Sequence, residues 1–210
     1  MQGPELIQFL KHSSSQSDSC TMGFQVGDVP VAFIRPVITD ANNINQSDIK
    51  LLTDWRNKYG DSFLTEFLAT TKRTESWLIN TVDKDDRKIL FMINLPTGQT
   101  VGHIGLGYID WDNSYVEADA IVNGGNAPPG VMKKSLLSLI QWSKIHLSLK
   151  NVCVRVRSDN MAIGFYHNIG FTEYNRVPLV PIINNSEVVW KEDPNSNSFV
   201  NSLIYMKYKW

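Results

Sequence analysis

The chain has 210 residues, 42% of them hydrophobic and 20% charged, with 20 basic against 21 acidic side chains. That length and balance predict one domain with a sizeable buried core and exclude disordered and fibrous classes. There is no Lys/Arg-rich run to follow a nucleic-acid backbone, and the longest apolar run, broken by Pro30, is far too short for a membrane span, so a cytoplasmic protein with neither partner is expected.

In chain order, residues 11 to 20 are polar and read as a mobile connection after a short N-terminal turn. Phe24 to Val26 and Val29 to Arg35 flank Gly27-Asp28 and read as a hairpin that Pro36 stops. Asn45 or Ser47 can cap a helix carrying Ile49, Leu52 and Trp55 on one face. Thr74 to Asn80 reads as a second short helix. Lys88 to Leu95, Thr100 to Asp110 and Tyr115 to Asn123 alternate as three strands, joined by turns at Pro96-Thr97-Gly98 and Asp112-Asn113-Ser114. The strongest helical periodicity covers 132 to 147 through Met132, Leu136, Leu139, Ile140 and Leu147. An apolar strand, Val152 to Val156, precedes a helix from about Asn160 to Asn168, with Gly170 suited to a left-handed cap, and Ser202 to Tyr208 is the last strand. Antiparallel strands followed by alternating strands and helices predict an α/β (α+β) fold, a mixed, mostly antiparallel sheet with helices on both faces. Cys20 and Cys153 are read as reduced thiols, and no metal site is indicated.

Ile121 to Lys134 runs from strand through a loop rich in Gly and Pro into a helix that opens Gly130-Val131-Met132-Lys133-Lys134. Free amides and the positive end of the dipole make such a start a phosphate site. Lysine opposes the dipole there, so Lys133 and Lys134 read either as phosphate ligands or as a solvated face. No Walker or dinucleotide pattern is present. If the hairpin is centred on Asn113, then 103 faces 123, 107 faces 119 and 109 faces 117. His103, Gly105, Gly107, Glu117, Asp119 and Asn123 then share one face, opposite a core face of Val116, Ala118, Ala120 and Val122. Three titratable groups over two glycines fit the floor of an acceptor site, or simply a wet sheet face. Cys153 lies in an apolar strand without a spaced His/Asp partner, which marks it as core rather than a nucleophile.

Asn160, Ala162, Tyr166, Gly170 and Phe171 stand in a spacing that resembles the GNAT acetyltransferases, and Trp55-Arg56-Asn57 with Arg73 to Leu78 is similar to the branch containing ribosomal-protein and amino-sugar acetyltransferases. The family's Arg/Gln-x-x-Gly-x-Gly/Ala loop is represented only by Ala127 to Met132, and Asn160 lies one residue closer to Ala162 than in the family pattern. The resemblance implies a GNAT fold and acetyl-CoA as co-substrate without a metal. It also implies cofactor contacts from Ile121, Val122, Asn123, Gly130, Val131, Met132, Lys133, Lys134, Asn160 and Tyr166. Tyr166 is then the acid for the departing thiolate and Glu117 the general base, with His103 and Asp119 in reserve. The expected reaction is acetyl transfer to a primary amine of a small molecule, possible on a nucleotide-linked amino sugar, and self-association as a homodimer is allowed. The alternatives are a protein N-terminal acetyltransferase and a catalytically inactive acyl-CoA-binding module.

Overall fold

The computed structural model describes residues 3–13, 24–25, 31–185 and 187–210. Its strands in chain order are β1 (Phe24–Gln25), β2 (Phe33–Pro36), β3 (Thr65–Glu66), β4 (Ile89–Asn94), β5 (Thr100–Asp110), β6 (Tyr115–Asn123), β7 (Asn151–Arg157), β8 (Phe171–Asn184), β9 (Glu187–Glu192) and β10 (Asn201–Tyr208). They form one sheet in the order β1-β2-β4-β5-β6-β7-β10-β8-β9-β3. Every neighbouring pair is antiparallel except β6 and β7.

The helices divide between the two faces, as the alternation of elements predicts. α1 (Gly3–His12), α4 (Val131–Leu147) and α5 (Ala162–Ile169) pack on one face, where Ile7, Leu136, Leu139, Ile140 and Ile169 join Ile104, Leu106, Val116 and Val154 in the larger core. α2 (Gln46–Lys58) and α3 (Thr71–Trp77) cover the other face, where Ile49, Leu52 and Trp55 of α2 and Leu78 just after α3 meet Leu90 and Met92 of β4. Asn45 caps α2 as expected, its side-chain oxygen accepting from the amides of Ser47 at 2.8 Å and Asp48 at 3.3 Å. Gly170 ends α5 at φ 114, the left-handed position the sequence assigns to it.

Several expectations need correction. The second short helix starts earlier, at Thr71, because Thr70 caps it, and it widens at its end into a π-turn over Leu78–Val82. The N-terminal turn is a full helix, α1. Its Lys11 is wholly buried and donates to the carbonyls of Val82, the last residue of that π-turn, and of Asp85 beyond it, each at 2.6 Å. The long hairpin β8–β9 and the two-residue strand β3 carry no sequence expectation: Pro178 and Pro181 interrupt the strand pattern in β8, and two residues are too few to show one in β3. β1 does pair with β2, although the Gly27-Asp28 turn, Cys20 and the polar stretch from 14 lie outside the described residues.

The β5–β6 register also differs. Gly107 faces Glu117 and Gly105 faces Asp119, whereas His103 faces Val122 and Gly102 faces Asn123. The turn pairs Asp110 with Tyr115, one residue off the expected pairing, and two bulges change the pairing further along the strands. One places two residues, Tyr108 and Ile109, opposite Val116; the other places Ala120 and Ile121 opposite Ile104, with Tyr108 at φ 50 and Ala120 at φ 51. The second bulge resets the alternation. Val116 and Ala118 enter the larger core as predicted, but Ala120 and Val122 pack on the α2 side and Ile121 on the α4 side.

Candidate active site

The parallel ladder between β6 and β7 runs only from Tyr115 opposite Asn151 to Glu117 opposite Cys153. β6 then bends at its Ala120 bulge, so residues 118 to 123 have no β7 partner. The gap opens a cleft of about 800 Å³, lined by Glu117 to Asn123 on one side and by Arg155, Arg157, Asn160, Ala162 and Tyr166 on the other. Among the predicted residues, the structure therefore gathers His103, Glu117, Asp119, Ile121, Val122, Asn123, Asn160 and Tyr166 around one space.

Glu117 is buried beside the cleft. It accepts from the Tyr115 hydroxyl at 2.8 Å and from Arg155 Nε at 2.7 Å. Burial pushes its carboxyl above the ordinary carboxylate range, against the opposing pull of Arg155 and of the Tyr115 hydrogen bond. Asp119 pairs with Lys88 Nζ at 2.9 Å. A Cβ at Gly107 would come within 3.0 Å of the Asp119 carboxylate, so the glycine keeps that space open. His103 stacks on Trp55 with ring centroids 5.7 Å apart; one ring nitrogen meets the Ala120 backbone and Nδ1 has no partner among the described residues. Full burial lowers its pKa to about 4, so the imidazole is neutral at physiological pH.

Tyr166 lies on α5 with its ring against Phe165 and Phe171 at 5.5 and 5.9 Å. Its hydroxyl takes no hydrogen bond among the described residues, and burial raises its pKa well above the usual phenol range, which keeps the proton on oxygen. Asn160 is already engaged: its side chain accepts from the Ala162 amide at 2.8 Å and donates to the Ser62 carbonyl at 3.3 Å. It holds the start of α5 while lining the cleft.

The predicted phosphate residues stand apart from the cleft lining. Gly130 opens α4 at φ 85 with no side-chain cap, and the Met132 and Lys133 amides take no backbone partner among the described residues. Val131 and Met132 belong to the larger core, whereas Lys133 and Lys134 are exposed. Lys133 Nζ donates to the Asn168 carbonyl at 2.9 Å, so its charge sits at the negative end of α5. That contact gives Lys133 a favourable site without any phosphate.

The cleft lining also contains residues to which the sequence reading assigned no role. Arg56, Phe63, Phe67, Arg73, Trp77 and Glu187 are among them, and β3 walls the cleft by pairing Thr65 and Glu66 with Val189 and Val188 of β9. Glu66 accepts from Trp190 Nε1 at 2.6 Å and from Arg157 at 2.7 Å, while Asp159 takes the second arm of Arg157 at 2.7 Å. One sequence signal was available. Arg155 and Arg157 alternate with valines in β7, which places both on one face of a buried strand.

A model of the acetyltransferase (GNAT) domain matches residues 33–172. No curated protein matches the chain in sequence. Among solved structures, the chain is similar to the spermidine N-acetyltransferase of Vibrio cholerae in complex with CoA and spermine, with a TM-score of 0.65, 16% identity and coverage of 84% of this chain and 94% of that one. A probable acetyltransferase gives a TM-score of 0.64 at 16% identity, covering 90% and 98% of the two chains. A dodecameric form of the Vibrio cholerae enzyme gives 0.60 at 15% identity, with 84% and 92% covered. At these identities the structural likeness speaks for the fold. The family match extends over two thirds of the sequence and includes both sides of the cleft; the chain belongs to the GNAT acetyltransferase family.

Proposed function

We propose that this GNAT acetyltransferase transfers the acetyl group of acetyl-CoA to a primary amine on a small molecule, with a nucleotide-linked amino sugar as the acceptor class. The observation that carries this reading is the parting of β6 from β7 at the Ala120 bulge, directly beside Glu117 and Tyr166. The open edge of Ile121, Val122 and Asn123 offers unladdered backbone to an extended ligand, and the uncapped start of α4, with Lys134 exposed beside it, suits the phosphates. Acetyl-CoA would supply an acetyl group already activated as a thioester.

The chain's own residues provide the proton transfers. Glu117, its pKa raised by burial, accepts a proton from the acceptor ammonium, which leaves a neutral amine able to attack. Tyr166 retains its proton at neutral pH and hands it to the departing thiolate. Asp119 faces the same space and is the reserve base; neutral His103, at a pKa of about 4, is a weak one. The β3–β9 pairing that walls the cleft beside Thr65 and Glu187 supports a compact acceptor rather than a protein N-terminus.

Calorimetric titration with acetyl-CoA, followed by thiol release across a panel of amines, tests the reading. Tight binding and turnover of at least one small amine are expected. Failure to bind acetyl-CoA would overturn acetyl transfer, and binding without turnover on any amine would favour an inactive acyl-CoA-binding module.

A further inference from the structure

We propose that the acceptor carries an oxyanion, a phosphate or a carboxylate, which Arg56 and Arg73 hold within the cleft while its amine meets Glu117. This rests on the acetyl-transfer reading of the same cleft and narrows its substrate class. Among the described residues, five cations line the cleft, Arg56, Arg73, Lys88, Arg155 and Arg157, against three carboxylates, Glu117, Asp119 and Glu187. Four of the five have a carboxylate partner: Arg73 with Glu187 at 2.6 Å, Lys88 with Asp119 at 2.9 Å, Arg155 with Glu117 at 2.7 Å, and Arg157 with Glu66 and Asp159 at 2.7 Å each. Among the described residues, Arg56 has none.

The surroundings of Arg56 make that absence costly to the free protein. Its Nη2 donates to the carbonyl and hydroxyl of Thr65, but its buried Nε has no partner among the described residues. The guanidinium lies 3.9 Å from the ring centroid of Phe63 and 4.6 Å from that of Phe67, and Arg73 covers Phe67 at 3.6 Å. Two cations are thus held against one aromatic plate. Burial first, and then the charge of Arg73, lower the Arg56 pKa to about 10. An oxyanion between the two would supply the missing counter-charge and meet the planar donor fork that arginine presents. A polyamine would add positive charge to a cleft that already has an excess of it. Tying down Thr65 occupies only Nη2, so that structural task leaves the rest of the guanidinium free.

The experiment compares acceptors that differ only in charge: ethanolamine, O-phosphoethanolamine and β-alanine; glucosamine and glucosamine 6-phosphate; and spermidine as the polycation. Thiol release gives kcat/KM for each, and calorimetry on the CoA-loaded protein gives binding without requiring turnover. An anionic member should exceed its neutral partner by tenfold or more, with the phosphate and carboxylate arms telling the two oxyanions apart. Arg56→Gln should remove most of that preference through KM. Arg73→Gln, at a half-exposed position, should reduce it severalfold and serves as the second variant if Arg56→Gln does not fold. Acetyl-CoA affinity, measured alongside, reports a folded cofactor site and separately tests acetyl transfer. The inference is overturned if ethanolamine, glucosamine or spermidine is used or bound as well as the anionic probes. It is also overturned if the preference survives both substitutions. If no amine is acetylated, phosphate-probe binding that is lost in Arg56→Gln supports the inference, and no such binding overturns it.

Discussion

Replacing Glu117 by Gln removes one charge from a buried pair and leaves the shape of the side chain nearly intact. The Glu117 side chain is 9% exposed and that of Arg155 18%, so solvent screens neither strongly. Truncating one partner of a buried pair costs about 3–5 kcal/mol. The amide oxygen of Gln can still accept from Arg155, which brings the expected loss of stability down to about 1–3 kcal/mol. Loss of a general base lowers turnover by about 10²- to 10⁴-fold, or about 3–5 kcal/mol of barrier. Stability and rate could then fall together for structural reasons alone, and the pH profile of kcat/KM separates the two causes. Without the base, the enzyme uses only acceptor that is already neutral, a fraction that grows about tenfold per pH unit below the amine pKa. The deficit of Glu117→Gln should therefore shrink steadily between pH 7 and 9, measured by thiol release under subsaturating acceptor. A variant within about threefold of the parent at pH 7, or a deficit that is the same at every pH, would refute the assignment of Glu117 as the base.

Tyr166→Phe keeps the contacts with Phe165 and Phe171 and removes a hydroxyl that has no partner among the described residues. kcat should fall about a hundredfold or more, with acetyl-CoA affinity nearly unchanged by calorimetry; an unchanged kcat would leave Tyr166 as packing only. Lys134→Gln should weaken acetyl-CoA binding and flatten its salt dependence, whereas Lys133→Gln should also loosen the α4–α5 contact at Asn168 and move stability by no more than about 0.5 kcal/mol. Equal affinity of both variants and the parent at low salt would confine the phosphate site to backbone amides. His103 is held near pKa 4 in the folded protein against an ordinary 6.5, so the unfolded chain binds more protons between those values. Stability should fall as pH drops from about 6.5 to 4, by up to about 3 kcal/mol, and urea unfolding of His103→Phe should lack that part of the pH dependence. Parallel curves for variant and parent would show that the imidazole is not isolated from solvent.

The sequence made the central part of the fold legible for a physical reason. Turn residues at 96–98 and 112–114 mark the ends of β5 and β6, and helical spacing of apolar residues marks α4, so the strand predicted at 100–110 and that at 115–123 agree with the structure, and α4 differs by a single residue. Bulges have no such signature. Nothing in Tyr108 or Ala120 announces a positive φ, and an error of one residue in pairing reverses the side a residue faces, which is why Ala120 and Val122 were expected in the wrong core. Glu117, Asp119 and His103 fell together because they lie before or across from the bulge, where alternation still holds. Arg56 and Arg73 stood out in the sequence only through the family resemblance, and nothing there gave them a place in the cleft. Arg56 and Arg73 come from helices separated in sequence, and only the loop carrying Phe63 and Phe67 brings them to one ring.

Lys11 has a chemical consequence of its own. Burial lowers its pKa to about 8, which on that ground alone would make it a reactive amine towards acylating reagents such as acetic anhydride. Yet the residue is 0% exposed, with its nitrogen turned into the carbonyls of Val82 and Asp85. Labelling of the native protein should therefore pass over it while marking surface lysines such as Lys134. Modification at Lys11 becomes a record of α1 having left the sheet, readable by peptide mass analysis without a spectroscopic probe.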